Sequence, residues 1–132
     1  MKSLFILVFI YAFSCNYITA QNQLQVIKAF QKNNLEYVNK HSTFPFTIEN
    51  FGLDTTINHD TNLRLKIIKE CVKIISISEL KKGVIIKTSN NKFQIIIKTF
   101  SKDGELESES TVVFYFKKVN KLYKLHKILL TG

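Results

Sequence analysis

The sequence is poor in residues that interrupt or cross-link a chain, with four glycines, one proline, two cysteines and no tryptophan. So few glycines and prolines exclude collagen-like repeats and Pro/Gly-rich disordered segments. Two cysteines are also too few for the disulfide framework of a small secreted scaffold. Hydrophobic residues make up 45% of the 132 residues, which is enough for a packed core. The composition is therefore that of an ordinary globular protein.

Arginine is scarce as well, since Arg64 is the only one in a chain whose formal net charge is +9. Such an excess of positive charge favours polyanions and anionic surfaces. Proteins that read nucleic acids, however, use arginine for bidentate contacts with phosphate and guanine, which lysine does not provide. The lysines are spread along the whole chain, so we expect a solvated basic surface and no nucleic-acid partner.

Long apolar runs are limited to the N-terminus, where Leu4 to Phe13 form an unbroken stretch after Lys2. Ten residues are too few to cross the roughly 30 Å core of a bilayer as a helix. A basic start, a short apolar run and a small residue before the cleavage site are typical of a signal peptide. We therefore expect residues 1–20 to be a signal peptide and 21–132 to be one exported domain, periplasmic or extracellular.

The two cysteines have different expected fates. Cys15 follows small residues in the N-terminal segment, so lipid attachment there is the alternative to cleavage before Gln21. Cleavage before Gln21 leaves Cys71 without a partner for a disulfide, and its apolar neighbours predict a buried, unreactive thiol. The rest of the sequence has no apolar run of transmembrane length, so no membrane span is expected in the mature chain.

Apolar residues recur at helical spacing after the predicted cleavage site, and this pattern predicts two short helices within 23–40. Asn34 is suited to cap the second of them. The other predicted elements are an extended segment at 43–48 with Pro45 suited to a sheet edge, a polar loop at 52–62, and a helix within 61–72 capped by Thr61.

The C-terminal half has apolar residues at alternate positions, a period that predicts strands. Asn90-Asn91 and Asn120-Lys121 separate these segments, and asparagine tolerates the positive φ of tight hairpin turns. The predicted antiparallel strands are 84–88, 93–100, 110–118 and 122–130. Helices followed by a meander of strands predict an α+β fold with the helices packed on one face of the sheet.

This order of elements resembles the nuclear-transport-factor-two-like superfamily, the cone-shaped, cystatin-like α+β fold shared with ketosteroid-isomerase-like domains. The stretches that carry the resemblance are the paired helices at 25–38, the segment 41–46 and the closing hairpin at 114–125. Small exported bacterial members are similar. The resemblance implies N-terminal helices packed on a curved antiparallel sheet around a pocket. None of the three stretches is a catalytic motif, so no activity is implied.

Five polar residues are candidates for such a pocket: Asp54, His59 and Asp60 in the predicted loop, and Tyr115 and Tyr123 in the predicted sheet. In an isomerase or hydrolase, a carboxylate among apolar walls acts as acid or base opposite a tyrosine. The strands are otherwise largely aliphatic and provide no obvious catalytic pair. Histidine, cysteine and the carboxylates show no metal-ligand spacing, so neither a metal nor a cofactor is expected.

These observations favour a non-catalytic exported binding or accessory module whose apolar pocket or sheet face holds an unidentified small ligand or protein partner. The alternative is a pocket enzyme of isomerase or hydrolase type that uses Asp54, His59 or Asp60 with a sheet tyrosine. A loop carboxylate buried beside Tyr115 or Tyr123 would favour the enzyme, and exposed loop residues would count against it. The sequence leaves open the oligomeric state, including a dimer, and a toxin-neutralising role.

Overall fold

Three helices and six strands are described in a computed structural model, which covers residues 21–50, 52–73, 84–89, 91–103 and 106–131. The predicted signal peptide and the alternative lipid site Cys15 lie outside these residues. Helix α1 occupies residues 21–31, and the other helices are α2 (Leu35–Lys40) and α3 (Thr61–Lys73). The strands are β1 (Ser42–Asn50), β2 (Leu53–Ile57), β3 (Val84–Ser89), β4 (Lys92–Asp103), β5 (Leu106–Val119) and β6 (Leu122–Thr131). Within the described ranges, no helix is long and apolar enough to cross a membrane.

Helices α2 and α3 both begin at a side-chain cap. The backbone amide of Tyr37 donates to Asn34 Oδ1 at 3.4 Å, which confirms the predicted cap of α2. At the start of α3, the amide of Leu63 donates to Asp60 Oδ1 at 3.0 Å. The prediction that Thr61 caps this helix is therefore wrong by one residue. A carboxylate suits the position because it also interacts favourably with the positive end of the helix dipole.

The strands lie in the order β2-β1-β6-β5-β4-β3. The last four strands along the chain form the predicted antiparallel meander. Strand β1, in contrast, pairs with β6 in parallel, so the sheet is mixed rather than wholly antiparallel. A tight hairpin can join only antiparallel strands. Because β1 and β6 are far apart in the chain and are not joined by such a turn, they are free to pair in parallel.

Strands β1 and β2 pair antiparallel, and this pairing corrects two predictions. Strand β1 lies between β2 and β6, so the prediction of an edge position for Pro45 is wrong. Proline is tolerated because the β1–β6 ladder is irregular between Ser42 and Thr47. The loop predicted at 52–62 is also wrong in part, because β2 occupies five of those residues. All the side chains of β2 except the last are exposed, so the strand lacks the alternation that signals a strand in sequence.

Tight turns set the register of the meander. Asn91 has a φ of 61°, and Asn120 and Lys121 have φ values of 49° and 69°. Positive φ at two successive residues is the geometry of a two-residue hairpin loop, and it pairs Val119 directly with Leu122. The turn predicted at Asn120-Lys121 is confirmed, and Asn91 has the positive φ expected for the other turn. Asn90 lies outside the described residues.

The helices cover one face of the sheet. The ring centroid of Phe30 in α1 lies 4.6 Å from that of Phe114 and 6.0 Å from that of Phe116 in β5. Phe116 in turn stacks on Phe93 of β4 at 4.3 Å. Phe30, Leu35, Phe114, Phe116 and Leu125 belong to one cluster of buried side chains, so the helices and the sheet share a continuous core.

The sheet therefore has two distinct faces. We call the side of Phe93, Phe114 and Leu125 the covered face. Because side chains alternate along a strand, their neighbours point the other way, and we call that side, with Gln94 and Tyr115, the open face. Gln94 lies directly opposite Tyr115, and Tyr115 is half-buried whereas Phe114 is fully buried. Tyr115 therefore points away from Phe114 and Phe116.

Arg64 connects α3 to the α2–β1 segment from a buried position. Its Nε donates to Asn39 Oδ1 at 2.7 Å, and its Nη2 donates to the Asn39 carbonyl oxygen at 2.8 Å. The guanidinium carbon lies 4.2 Å from the centroid of the Phe44 ring, a cation–π contact. With 4% of its surface exposed, the only arginine of the chain serves packing rather than recognition.

Candidate functional site

A pocket of about 640 Å³ opens on strands β3 to β6. This volume lies within the range of roughly 300–1,000 Å³ that is common for small-molecule sites. Two of its lining residues, Phe93 and Phe116, belong to the hydrophobic core. The others are Ser89, Lys92, Gln94, Tyr115, His126 and Lys127. The side chains that the open face contributes to the pocket are thus polar or basic.

Register places three lysines side by side at one end of the open face. The Asn120-Lys121 turn sets Lys117 directly opposite Lys124, and the β4–β5 ladder sets Lys92 directly opposite Lys117. Cβ atoms of directly opposed residues in antiparallel strands are about 4.5–5.5 Å apart. We call Lys92, Lys117 and Lys124 the lysine row. Like charges in such positions repel and destabilise a sheet, so the row has an energetic cost.

A β-bulge brings His126 into the pocket. Tyr115 pairs with Lys127, and Phe116 pairs with Leu125, so His126 is the extra residue of β6. A bulge changes the direction of the side chains around it. As a result, His126 and Lys127 are successive residues that both line the pocket beside Tyr115.

The imidazole of His126 is uncharged at neutral pH. Its pKa is lowered from the ordinary value of 6.5 to about 4. The main cause is desolvation by partial burial, and the positive charges of Lys117, Lys92 and Lys127 contribute in the same direction. A neutral imidazole presents one nitrogen as a hydrogen-bond donor and the other as an acceptor. The pocket therefore contains an uncharged polar group among ammonium groups.

Lys127 differs from the lysine row because it has a counterion. Its Nζ lies 2.6 Å from Glu49 Oε1 of β1 and 5.2 Å from the centroid of the Tyr115 ring. Among the described residues, by contrast, no carboxylate lies within salt-bridge distance of Lys92, Lys117 or Lys124. The pocket and its border thus have an excess of positive charge.

The five sequence-predicted site residues are not brought together. Tyr115 lines the pocket, whereas Tyr123 is 5% exposed and packs edge-on against Phe93 on the covered face, with ring centroids 4.7 Å apart. Asp54 lies on the exposed edge strand β2, opposite Glu49. Since β1 and β6 lie between β2 and β5, three strand spacings, about 14 Å, separate β2 from β5.

The remaining two predicted residues lie just before α3. His59 is exposed, and Asp60 is exposed and caps the helix. Within the described ranges, none of the three predicted loop residues is buried beside either tyrosine, which is the arrangement that the enzyme hypothesis requires. The same ranges contain no group of three histidine, cysteine or carboxylate residues that could hold a metal ion.

The lysine row was not predicted from the sequence, and His126, which could face either solvent or a cavity, was not among the predicted site residues. Counting outward from the predicted Asn120-Lys121 turn pairs Lys117 with Lys124, so part of the row could have been read from the sequence. The bulge at His126 gives no such signal, because alternation of apolar and polar residues does not reveal one inserted position.

Solved structures share this architecture at low sequence identity. A DUF4783 family protein from Bacteroides ovatus matches with a TM-score of 0.55 and 16% identity, over 80% of this chain and 89% of its own. A de novo designed protein with a curved β-sheet matches with a TM-score of 0.51 and 16% identity, over 86% and 96%. The designed protein "Rd1NTF2_04 with long sheet" has a TM-score of 0.51 and 6% identity, over 86% and 99%. The protein has the nuclear-transport-factor-two-like fold.

This nuclear-transport-factor-two-like fold confirms the resemblance seen in the sequence and the α+β class inferred from it. No protein-family model matches the sequence, and no curated protein matches it. At identities of 6 to 16%, the likeness shows the fold alone, because one fold supports many unrelated functions. The function has to be argued from the pocket.

Proposed function

We propose that the protein is an exported, non-catalytic binding module that holds a small ligand in the open-face pocket. The observation that carries this proposal is the composition of the pocket wall. An aromatic ring with a hydroxyl at Tyr115, an uncharged imidazole at His126 and an ammonium group at Lys92 meet around a volume of about 640 Å³. A concave site with a few convergent polar groups is the usual form of a small-molecule site.

Binding fits these groups better than acid–base catalysis. An effective general base has a pKa near the pH at which it operates, and the pKa of His126 is lowered to about 4. The imidazole is therefore a weak base at neutral pH. The carboxylate of Glu49 already accepts from Lys127, and Asp54 and Asp60 are exposed outside the pocket. The pocket groups thus suit positioning of a ligand by hydrogen bonds.

Export is supported by the signal-peptide pattern of residues 1–20. Mass spectrometry of the protein recovered from the medium or periplasm tests this part of the proposal. We expect an N-terminus at Gln21, either free or cyclised to pyroglutamate. Acylation at Cys15 would show that the protein is lipid-anchored, and retention of an intact Met1 in the cytoplasm would contradict export.

Chemical-shift mapping tests the binding role directly. Neutral, anionic and cationic small-molecule fragments are titrated into ¹⁵N-labelled protein, and we expect amide shifts concentrated at Tyr115, His126 and Lys127. Gln94→Trp is designed to fill the pocket and should abolish these shifts. Lys98→Trp, on the same strand and the same face but outside the pocket lining, is the matched control and should leave them unchanged. Failure of every fragment to bind in the pocket, or binding that persists in Gln94→Trp, would contradict the proposal.

A further inference from the structure

The lysine row is an arrangement that folding alone does not favour. Lys92, Lys117 and Lys124 occupy directly opposed positions on three neighbouring strands, where like charges repel. Among the side chains that the structure describes, no carboxylate is close enough to any of the three to form an ion pair. Repulsion of this kind is relieved when an anion binds between the ammonium groups, so the row favours an anion-bound state.

The neighbouring pocket supplies the directional contacts that an anion site needs. Lysine ammonium groups act as compact point charges and fix orientation poorly. Gln94, Tyr115 and Ser89 provide side-chain donors within the same pocket. His126 adds an N–H donor without adding a further positive charge, because its imidazole is neutral.

We propose that the open-face pocket binds a small polyanion, whose phosphate or carboxylate groups lie between the lysine row and Lys127. This inference rests on the proposed binding function and names the class of ligand. Adjacent strands are about 4.8 Å apart, so the row spans about 10 Å from Lys92 to Lys124. A molecule with two or three anionic groups can contact more than one lysine of the row at once.

A small anion fits the geometry better than a nucleic-acid strand. Proteins that bind single strands without sequence preference combine a basic groove along the backbone with aromatic platforms for successive bases. Here the aromatic side chains that border the pocket on the open face are Tyr115 and His126, which lie side by side and do not form a series of platforms along the sheet. The ligand is therefore enclosed by the pocket rather than extended along the sheet.

Isothermal titration calorimetry at pH 7 and low salt tests the inference with pyrophosphate and citrate in separate titrations. The two probes distinguish phosphate from carboxylate as the preferred group. A charge-assisted hydrogen bond is among the stronger polar contacts in proteins. We therefore expect Lys117→Gln to weaken binding of the preferred anion by about tenfold.

Two further variants make the titration decisive. Lys66→Gln on the exposed side of α3 removes the same charge far from the pocket lining, and it should change affinity by less than about twofold because only long-range attraction is reduced. Lys92→Gln, at an exposed position of β4, serves as a second pocket variant if Lys117→Gln does not fold. Equal losses in Lys117→Gln and Lys66→Gln would overturn the inference.

The pKa of His126 provides a second measurement, and it distinguishes binding in the pocket from attraction to a basic surface. The charged and titratable groups around it are Lys92 of β4, Tyr115 and Lys117 of β5, and Lys124 and Lys127 of β6, with Glu49 of β1 paired to Lys127. A bound anion stabilises the imidazolium, so NMR titration should show the pKa of His126 raised above about 4 in the complex. By linkage, the contribution of His126 to anion affinity should then increase as the pH falls toward that value.

The remaining outcomes separate this inference from the proposed function. If neutral or cationic fragments occupy the pocket while pyrophosphate and citrate do not, the polyanion inference is wrong and the binding function stands. If no fragment of any charge binds, both are wrong. A single-stranded oligonucleotide is tested in the same way. If it binds more tightly than either small anion and Lys117→Gln weakens its binding equally, the ligand is a polyanionic polymer and the inference of a small anion is wrong.

Discussion

Truncation of Phe114 tests the division of the sheet into a covered and an open face. Phe114 is 0% exposed and its ring centroid lies 4.6 Å from that of Phe30. It stands opposite Ile95 of β4 and Ile128 of β6, both of which are fully buried. Phe114→Ala would therefore leave a cavity bounded by α1 and by two neighbouring strands, in a region with little freedom to collapse.

The expected loss is large for a chain of this size. Phenylalanine-to-alanine changes in a core cost about 3–5 kcal/mol, out of a total stability of about 5–15 kcal/mol for a typical domain. For a domain of about 100 residues, 1 kcal/mol shifts the melting temperature by roughly 4 °C. Phe114→Ala should therefore lower the melting temperature by about 12–20 °C.

Thermal denaturation followed by circular dichroism measures the shift, and Tyr115→Ala is the matched control. Tyr115 is the next residue of the same strand, is also aromatic and is half-buried on the open face under Lys127. Its truncation removes a cation–π contact of about 0.5–1 kcal/mol and some packing, so a decrease of less than about 6 °C is expected. Equal decreases for the two variants would refute the strand register, and a larger decrease for Tyr115→Ala would reverse the assignment of the faces.

Three further predictions follow from buried groups. Arg64→Lys should lower the free energy of unfolding by about 1–3 kcal/mol in urea titrations, because lysine lacks the planar fork with which Arg64 donates to two acceptors of Asn39. An unchanged midpoint would contradict the structural role. The pKa of His126 is about 4 in the folded protein, against an ordinary value of 6.5. Between these pH values the unfolded chain binds more protons than the folded protein does, so stability should fall as the pH drops from 6.5 toward 4. His126→Gln should flatten that dependence in melts at successive pH values, and an unaltered slope would count against the lowered pKa. Burial, with a smaller contribution from Glu70, raises the pKa of Cys71 to about 11. Alkylation of the Cys71 thiol at pH 8 should therefore be slow in the folded protein and fast in denaturant. Fast alkylation without denaturant would disprove the burial of Cys71.

The C-terminal meander was predictable because two local signals agree there. Alternating apolar residues identify the strands, and asparagine at the turns sets the register between them. The covered face could then be assigned, because Phe114 and Phe116 are two residues apart on one strand and so point to the same face of the sheet. That face packs against the apolar side of the helix that contains Phe30. The strand register of the meander and its covered face could therefore both be predicted from residues close together in the sequence.

The N-terminal hairpin was harder to predict because its stability comes from tertiary contacts. Strand β2 buries Ile57 alone of its five residues, so no period-two pattern marks it. The parallel pairing of β1 with β6 joins segments about 80 residues apart in the chain, and no local signal encodes that choice. Asp60 likewise competes with Thr61 as a cap, and only the structure shows which side chain accepts the amide of Leu63.

The candidate site was predictable in smaller part. Tyr115 was identified, but the other predicted residues were chosen by type and by an assumed loop rather than by register. The groups that distinguish the pocket depend on a bulge at His126 and on lysines brought together by two turns. A polar site of this kind is assembled from residues that look unremarkable individually in sequence.

The most direct test of the anion-binding pocket is an NMR titration of pyrophosphate into the ¹⁵N-labelled protein at low salt. If the pocket binds the anion, the amide shifts should saturate and be largest at Lys92, Tyr115 and His126, with little change along α3. Shifts spread evenly over the lysines of α3 and the sheet, growing without saturation, would instead show that the positive charge attracts anions without a site, and would contradict the account.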